Sequence, residues 1–303
     1  MVIMALDHSR DFFALGFVYF APTDLDLTNL EVFFTRWITH FAAPTFIFLA
    51  GIGLFFASAR RTKSELAYLA FTRGIWLIFL ELTIVGFFWT FSSDFYYQPK
   101  IAVLFAIGIA MIAMAAIIYL PRYAIILLVA FLLLGHNAFD GIEPQVFGEY
   151  AYLWNLAFVP DTITLAGIEV RIIYPLVPWI GVMALGYLFG PVTKMARVDR
   201  RKVFLLVGAS FLVVGFALRW GNFYGDASLW VEYPTVEFTI MSFLNFTKYP
   251  PSLLYLLFLL GSAMVLMGVL DRPLGKWSYP LRDFGRVPFF FYLLHIPLLH
   301  VGG

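Results

Sequence analysis

Long runs of apolar residues recur along the chain, separated by short segments carrying charge, proline and glycine. They predict helices near 1–20, 37–58, 71–91, 100–120, 123–139, 171–190, 203–218, 251–270 and 286–302. Crossing roughly 30 Å of hydrocarbon takes about 20 residues at about 1.5 Å of rise each. The runs at 123–139 and 203–218 are short, so their ends are the least defined. Leu120, Pro121 and Arg122 form the tightest connection, a turn between the fourth and fifth helices. No segment repeats at a fixed period. The expected fold class is all-α, a polytopic transmembrane helical bundle of about nine spans. It forms a single domain over residues 1–303.

Composition strengthens this reading. Hydrophobic residues make up 62% of the chain and charged residues 13%, with a mean hydropathy of +0.86. A soluble domain carries roughly 45–50% apolar and about 25% charged residues, so the lipid bilayer is the expected surrounding. A net charge of +1 offers no basic surface for nucleic acid. The absence of cysteine excludes disulfides, thiolate metal sites and cysteine nucleophiles. The opening stretch lacks a basic leader and a small-residue cleavage site. Because the sequence begins and stops inside apolar runs, we expect both ends to be truncated.

Orientation follows from the basic residues. Fourteen of them, including Arg60, Arg61, Lys194, Arg200, Arg272 and Arg286, fall in loops on one side, and six on the other. An excess of lysine and arginine marks the cytoplasmic side. This predicts a multi-pass inner-membrane protein with a cytoplasmic N-terminus and with loops 21–36, 140–170 and 219–250 outside.

The first apolar run holds Asp7, His8, Arg10 and Asp11. Each such group at mid-bilayer costs at least ~2.5–3.5 kcal/mol, so intramembrane ionisable residues mark function by default. At 100° per residue the four share an arc of about 160°, one polar helix face turned into the bundle. Positions three or four apart meet on a helix, which pairs Asp7 with Arg10 and His8 with Asp11. A carboxylate beside an imidazole raises its basicity, as a general base requires. A cluster that merely fixes helix packing is the structural alternative. Arg36 and His40 lie on one face at the outer end of the second helix, and Glu81 is a lone carboxylate in the third. His136 and Asn137 close the fifth, and Lys248 precedes the proline pair Pro250 and Pro251. His295 and His300 are five apart, about 140° around a helix, and cannot jointly hold a metal. No metal site is assigned.

Seven blocks occur in order: MALDHSRDFF, TRWITHFAAPTFIFLAG, GIWLIFLELTIV, LLLGHNAFDGI, YPLVPWIGVMALGYLFG, SFLNFTKYPPSLLYLL and GRVPFFFYLLHIPLLH. Together they resemble the bacterial membrane family of heparan-alpha-glucosaminide N-acetyltransferase catalytic-domain proteins. That family sits within the transmembrane acyltransferases that include acyltransferase type three. The resemblance implies acyl transfer, with acetyl-CoA used from the cytoplasm and a carbohydrate-like amine or hydroxyl met outside. His8 matches the first-helix histidine of acyltransferase type three. The arginine eleven positions earlier would precede Met1, in keeping with truncation. Gly86 stands where many relatives carry arginine.

On this basis His8, Asp11 and Asp7 are the expected catalytic residues. Arg10, Arg36, His40, Asn137 and Lys248 are expected to bind the acceptor. Arg272, Arg282 and Arg286 would hold the CoA phosphates, with Lys276, Arg60 and Arg61 nearby in sidedness. Direct transfer and an acyl-histidine route both remain open, as does a homo-oligomer. Two other classes are a proton-coupled transporter using Asp7, His8, Asp11 and Glu81, and an assembly protein without a ligand. Transporters often carry inverted repeats, and none is visible.

Overall fold

The structure is a computed structural model that describes residues 1–13, 20–96 and 98–303. Fourteen α-helices are described: α1 Val2–Phe13, α2 Leu30–Thr39, α3 Ala42–Ser58, α4 Lys63–Leu80, α5 Gly86–Thr90, α6 Val103–Ile117 and α7 Arg122–Leu134. These are followed by α8 Ala151–Ala157, α9 Val177–Thr193, α10 Arg197–Gly221, α11 Val236–Leu244, α12 Leu253–Leu270, α13 Tyr279–Arg286 and α14 Pro288–Gly302. The second half of the expected first span, residues 14–19, lies outside the described residues.

Several helices start earlier than their apolar runs, because polar caps extend them. Asn29 opens α2 by accepting the Val32 N–H, so α2 and α3 run from Leu30 to Ser58 with a break at His40 and Phe41. Thr62 and Glu65 form a reciprocal capping box that starts α4 eight residues ahead of the expected 71. Arg73, near the start of the expected helix, therefore lies well inside α4. A π-helical turn, Glu81–Val85, joins α4 to α5.

Among the described residues four helical segments are long and apolar enough to cross a membrane: Leu30–Ser58, Lys63–Thr90, α10 and α12. A fifth is the pair α13 and α14, if the 86° bend between them is one broken span. The expectation of about nine full spans is not met in that form. The runs at 100–120, 123–139 and 171–190 become helices of 15, 13 and 17 residues. Each gives up residues to a turn or a strand.

A small sheet also qualifies the all-α expectation. β1 Lys100–Ile101 pairs in parallel with β3 Ile168–Ile172, and β3 pairs antiparallel with β2 Thr162–Leu165. The β2–β3 hairpin turns on Ala166 and Gly167, both at positive φ, as a two-residue hairpin turn with right-handed strand twist requires. The flanking threonine, isoleucine and valine suit the pleat.

The core is helix on helix. Ile47, Phe48, Met114, Trp179, Met183 and Met264 are wholly inaccessible and belong to one cluster from α3, α6, α9 and α12. Small residues let backbones meet, as membrane helices require. A methyl on Gly51 or Gly186 would strike the facing backbone of α9 or α3. Gly74 faces Gly108 between α4 and α6, and Gly208 faces Gly261 between α10 and α12. A second cluster of Met4, Val85, Leu104, Tyr292 and Ile296 ties α1 and α14 to the π-turn and α6.

Basic side chains gather three segments at one end of the bundle. Arg200 pairs with Asp271 at 2.7 Å, and Arg201 donates to the Gly268 carbonyl at 3.1 Å. The Lys194 ammonium stands 4.8 Å from the Phe55 ring at the end of α3. The Arg200 hydrogen bonds hold the Asp271 carboxyl below its ordinary value, against slight desolvation. At the other end, Arg219 is buried and donates to the carbonyls of Ser228, Ser242, Phe243 and Asn245. It thereby fastens the end of α11, whose last carbonyls lack helical partners. Asp226 accepts from the Thr247 N–H at 3.0 Å and the Ser252 hydroxyl at 2.8 Å, shaping the segment before α12.

Candidate active site

Short α1, the break between α2 and α3, the π-turn and the segment before α12 enclose a cavity of about 730 Å³. Asp7, His8, Arg10, Asp11, Arg36, His40 and Lys248 all line it. So do Glu81, Gly86, Trp89, Lys100, Tyr174, Tyr249 and Tyr292. A smaller cavity of about 290 Å³, carrying Asp24 and Asp26, shares Thr23, Ser228 and Asn245 with it.

Asp7 is the electrostatic centre. It pairs with Arg10 on its own helix, and Arg36 Nη1 donates to both of its oxygens at 2.7 Å. All three side chains are under one-fifth exposed. Burying charges is tolerable only when they are paired and hydrogen-bonded, and two cations on one carboxylate leave a net positive wall. The Asp7–Arg10 pair is the one that helical spacing predicts. The Arg36 bond brings α2 to α1 across a sequence gap that no local pattern reveals.

His8 does not meet Asp11 as its spacing suggested. Its Nδ1 lies 2.6 Å from Nε2 of His295 on α14, and the Trp89 ring packs edge-on against it with centroids 5.0 Å apart. Asp11 instead approaches Arg10 at 3.8 Å and is 43% exposed. Spacing of three or four brings two side chains to one face but does not say which rotamer tertiary neighbours will favour. Sequence spacing speaks to His295 only as a metal ligand beside His300. The available signal is an ionisable residue inside the apolar run of α14.

His40 is buried at the α2–α3 break, where its carbonyl accepts from the Tyr255 hydroxyl at 3.0 Å. Its Nδ1 has no hydrogen-bond partner among the described residues. Lys248 sits 5.2 Å from the centre of the Tyr249 ring, and the Tyr249 and Tyr174 hydroxyls are 3.5 Å apart. Burial alone would raise the Tyr249 phenol, but the Lys248 and Arg36 cations outweigh it and hold it below its ordinary value. Burial, with repulsion from Arg171, lowers the Lys100 ammonium.

Glu81 has a partner that accounts for it. Its Oε2 accepts the Leu104 N–H at 2.8 Å and so caps α6, whose flanking Ala102 supplies no side-chain cap. Asn137 lies off the cavity, and both ends of its amide are engaged. Oδ1 accepts the Leu253 N–H at 2.8 Å, and Nδ2 donates to Asp140 at 2.7 Å. Arg272, Arg282 and Arg286 are also off the cavity and exposed. Asp283 stands 3.7 Å from both Arg282 and Arg286 on α13, and Arg282 stacks over Tyr279 at 4.7 Å.

Chemically, the cavity offers an imidazole, a fixed positive wall and phenol donors around a space for a small polar ligand. Comparison with curated proteins finds no match, and comparison with solved structures finds none. A family model described as heparan-alpha-glucosaminide N-acetyltransferase, catalytic, matches residues 1–233, which carry Asp7, His8, Arg10, Asp11, Arg36 and His40. Most of the chain is thus covered, and the protein belongs to the heparan-alpha-glucosaminide N-acetyltransferase catalytic-domain family.

Proposed function

We propose that the protein moves an acetyl group from cytoplasmic acetyl-CoA to a carbohydrate-like amine or hydroxyl outside the inner membrane. The observation that carries this reading is the cavity in which His8 adjoins a positive wall of Arg36, Arg10 and Lys248. The acceptor N–H or O–H loses its proton to His8 as it attacks the thioester carbonyl. Negative charge then develops on the carbonyl oxygen, and donors such as Lys248 and Tyr249 stabilise it. Collapse of the intermediate breaks the C–S bond, and the proton held on His8 passes to the leaving thiolate. An acyl-histidine route would use the same imidazole as nucleophile.

Asp7 acts on the reaction by holding Arg10 and Arg36 in position, while Asp11 and His40 border the space for the acceptor. Arg272, Arg282 and Arg286 would receive the CoA phosphates at the cytoplasmic mouth. About 10 Å of helix axis separates the bend at Pro288 from His295, a span that an extended pantetheine arm covers. Asn137, engaged as it is around α12, would act through the helix it caps.

The test is acetyl-CoA binding to the purified full-length protein in nanodiscs, followed by transfer of labelled acetyl to amino-sugar glycans. Saturable binding retained in His8→Ala, with transfer lost, is the expected result. No binding of acetyl-CoA by the wild-type protein would overturn the reading.

A further inference from the structure

His295 lies beyond the stretch that the family model matches, yet it makes the closest polar contact to His8. The chain of bonds behind it fixes where protons sit. His295 Nδ1 is 3.0 Å from the Phe291 carbonyl oxygen, one turn back on α14. A carbonyl only accepts, so this nitrogen carries the hydrogen and donates. A neutral imidazole has one N–H, which leaves His295 Nε2 as an acceptor. The 2.6 Å contact then requires His8 Nδ1–H to donate to it. His8 Nε2 is left as a bare lone pair, without a hydrogen-bond partner among the described residues, on a ring that lines the cavity.

We propose that His295 is a positioning residue that locks His8 in its Nδ1–H tautomer and holds Nε2 ready to accept the acceptor's proton. The anchor is the backbone carbonyl of Phe291, so the relay is neutral where a hydrolase triad uses a carboxylate. A neutral orienter suits this cavity. The nearby carboxylate, Asp7, is already held by Arg10 and Arg36, and the relay adds no further buried charge. The stacking of Phe291 on the His295 ring, with centroids 5.5 Å apart, keeps that ring in plane with its carbonyl partner. The inference rests on His8 being the base in the reading above.

The experiment is ¹⁵N NMR of the full-length protein with labelled histidine, His8 being identified by the signals missing in His8→Ala. A protonated Nδ1 and an unprotonated Nε2 on His8 near neutral pH are expected. An Nε2–H tautomer in the wild-type protein would overturn the proposal whatever the activity. Two variants extend the test. His295→Leu removes the acceptor and should give mixed His8 tautomers, with kcat lowered about 10- to 100-fold, at or below the smallest loss expected for removing a base outright. Its KM for acetyl-CoA should be unchanged. His295→Gln offers an oxygen near the place of Nε2 and should restore both the tautomer and most of the rate. Wild-type kcat in His295→Leu would also overturn the proposal. Should that variant prove too unstable to assay, the wild-type spectrum decides alone. The expected tautomer in a protein that transfers no acetyl group would sink the acyltransferase reading and leave the histidine relay standing.

Discussion

Asp7 carries two guanidinium groups on one carboxylate, and this sets what its loss should do. Asp7→Asn leaves two buried cations without their counter-charge, a change that typically costs about 3–5 kcal/mol. A marked fall in the thermal midpoint of the detergent-solubilised protein is expected. Asp11→Asn should stay within about 1 kcal/mol of wild type, because a part-exposed pair at 3.8 Å contributes little. Equal midpoints for the two variants would contradict the burial argument. At this scale the spacing of three on α1 predicts the Asp7–Arg10 pair that forms, but the same spacing does not bring His8 to Asp11. It could not see Arg36 reach across to Asp7 or His295 reach across to His8. Those contacts depend on how helices distant in sequence pack, which no local period encodes.

Glu81 is best understood as part of an element. Its carboxylate lies on the π-turn and caps α6, so the acceptor oxygen matters more than the proton. Glu81→Gln keeps that oxygen and should leave transfer near wild type. Glu81→Leu removes it and should cost about 0.5–2 kcal/mol, the usual range for a lost helix cap. A proton-coupled transporter relying on Glu81 would instead lose function in Glu81→Gln, so the variant separates the two classes. Where α3 crosses α9, Gly51→Val should destabilise by about 1–3 kcal/mol, because the facing backbone cannot give way as a side chain would. Thermal unfolding in nanodiscs checks both. Apolar runs revealed that these helices exist. Their starts were misjudged where polar caps such as Thr62 and Glu65 lengthen them. The β2–β3 hairpin was missed because its turn, Ala166 and Gly167, lacks the asparagine or aspartate that usually announces one.

For the whole molecule, Lys194, Arg200 and Asp271 meet at one end of the bundle, the end we propose faces the cytoplasm on the bias of basic residues. The chain has no cysteine, so single cysteines report sidedness cleanly. In intact cells Lys63→Cys, Lys202→Cys and Lys276→Cys should be shielded from an impermeant maleimide, and Glu149→Cys should react. Reaction of all four, or of Lys202→Cys alone, would contradict the orientation. The cavity gathers residues from both ends of the sequence, which is why the first-helix cluster was legible as a site and its full lining was not. The central claim is that His8 takes a proton during acetyl transfer from acetyl-CoA, and release of free CoA by native membrane vesicles expressing the protein tests it most directly. Supplied with amino-sugar glycans as acetyl acceptor, wild-type vesicles should release CoA from acetyl-CoA above the background of vector-only vesicles, and His8→Ala should lower that acceptor-dependent release by about 10²–10⁴-fold. Equal release from the wild-type and His8→Ala vesicles, at matched protein levels, would contradict it.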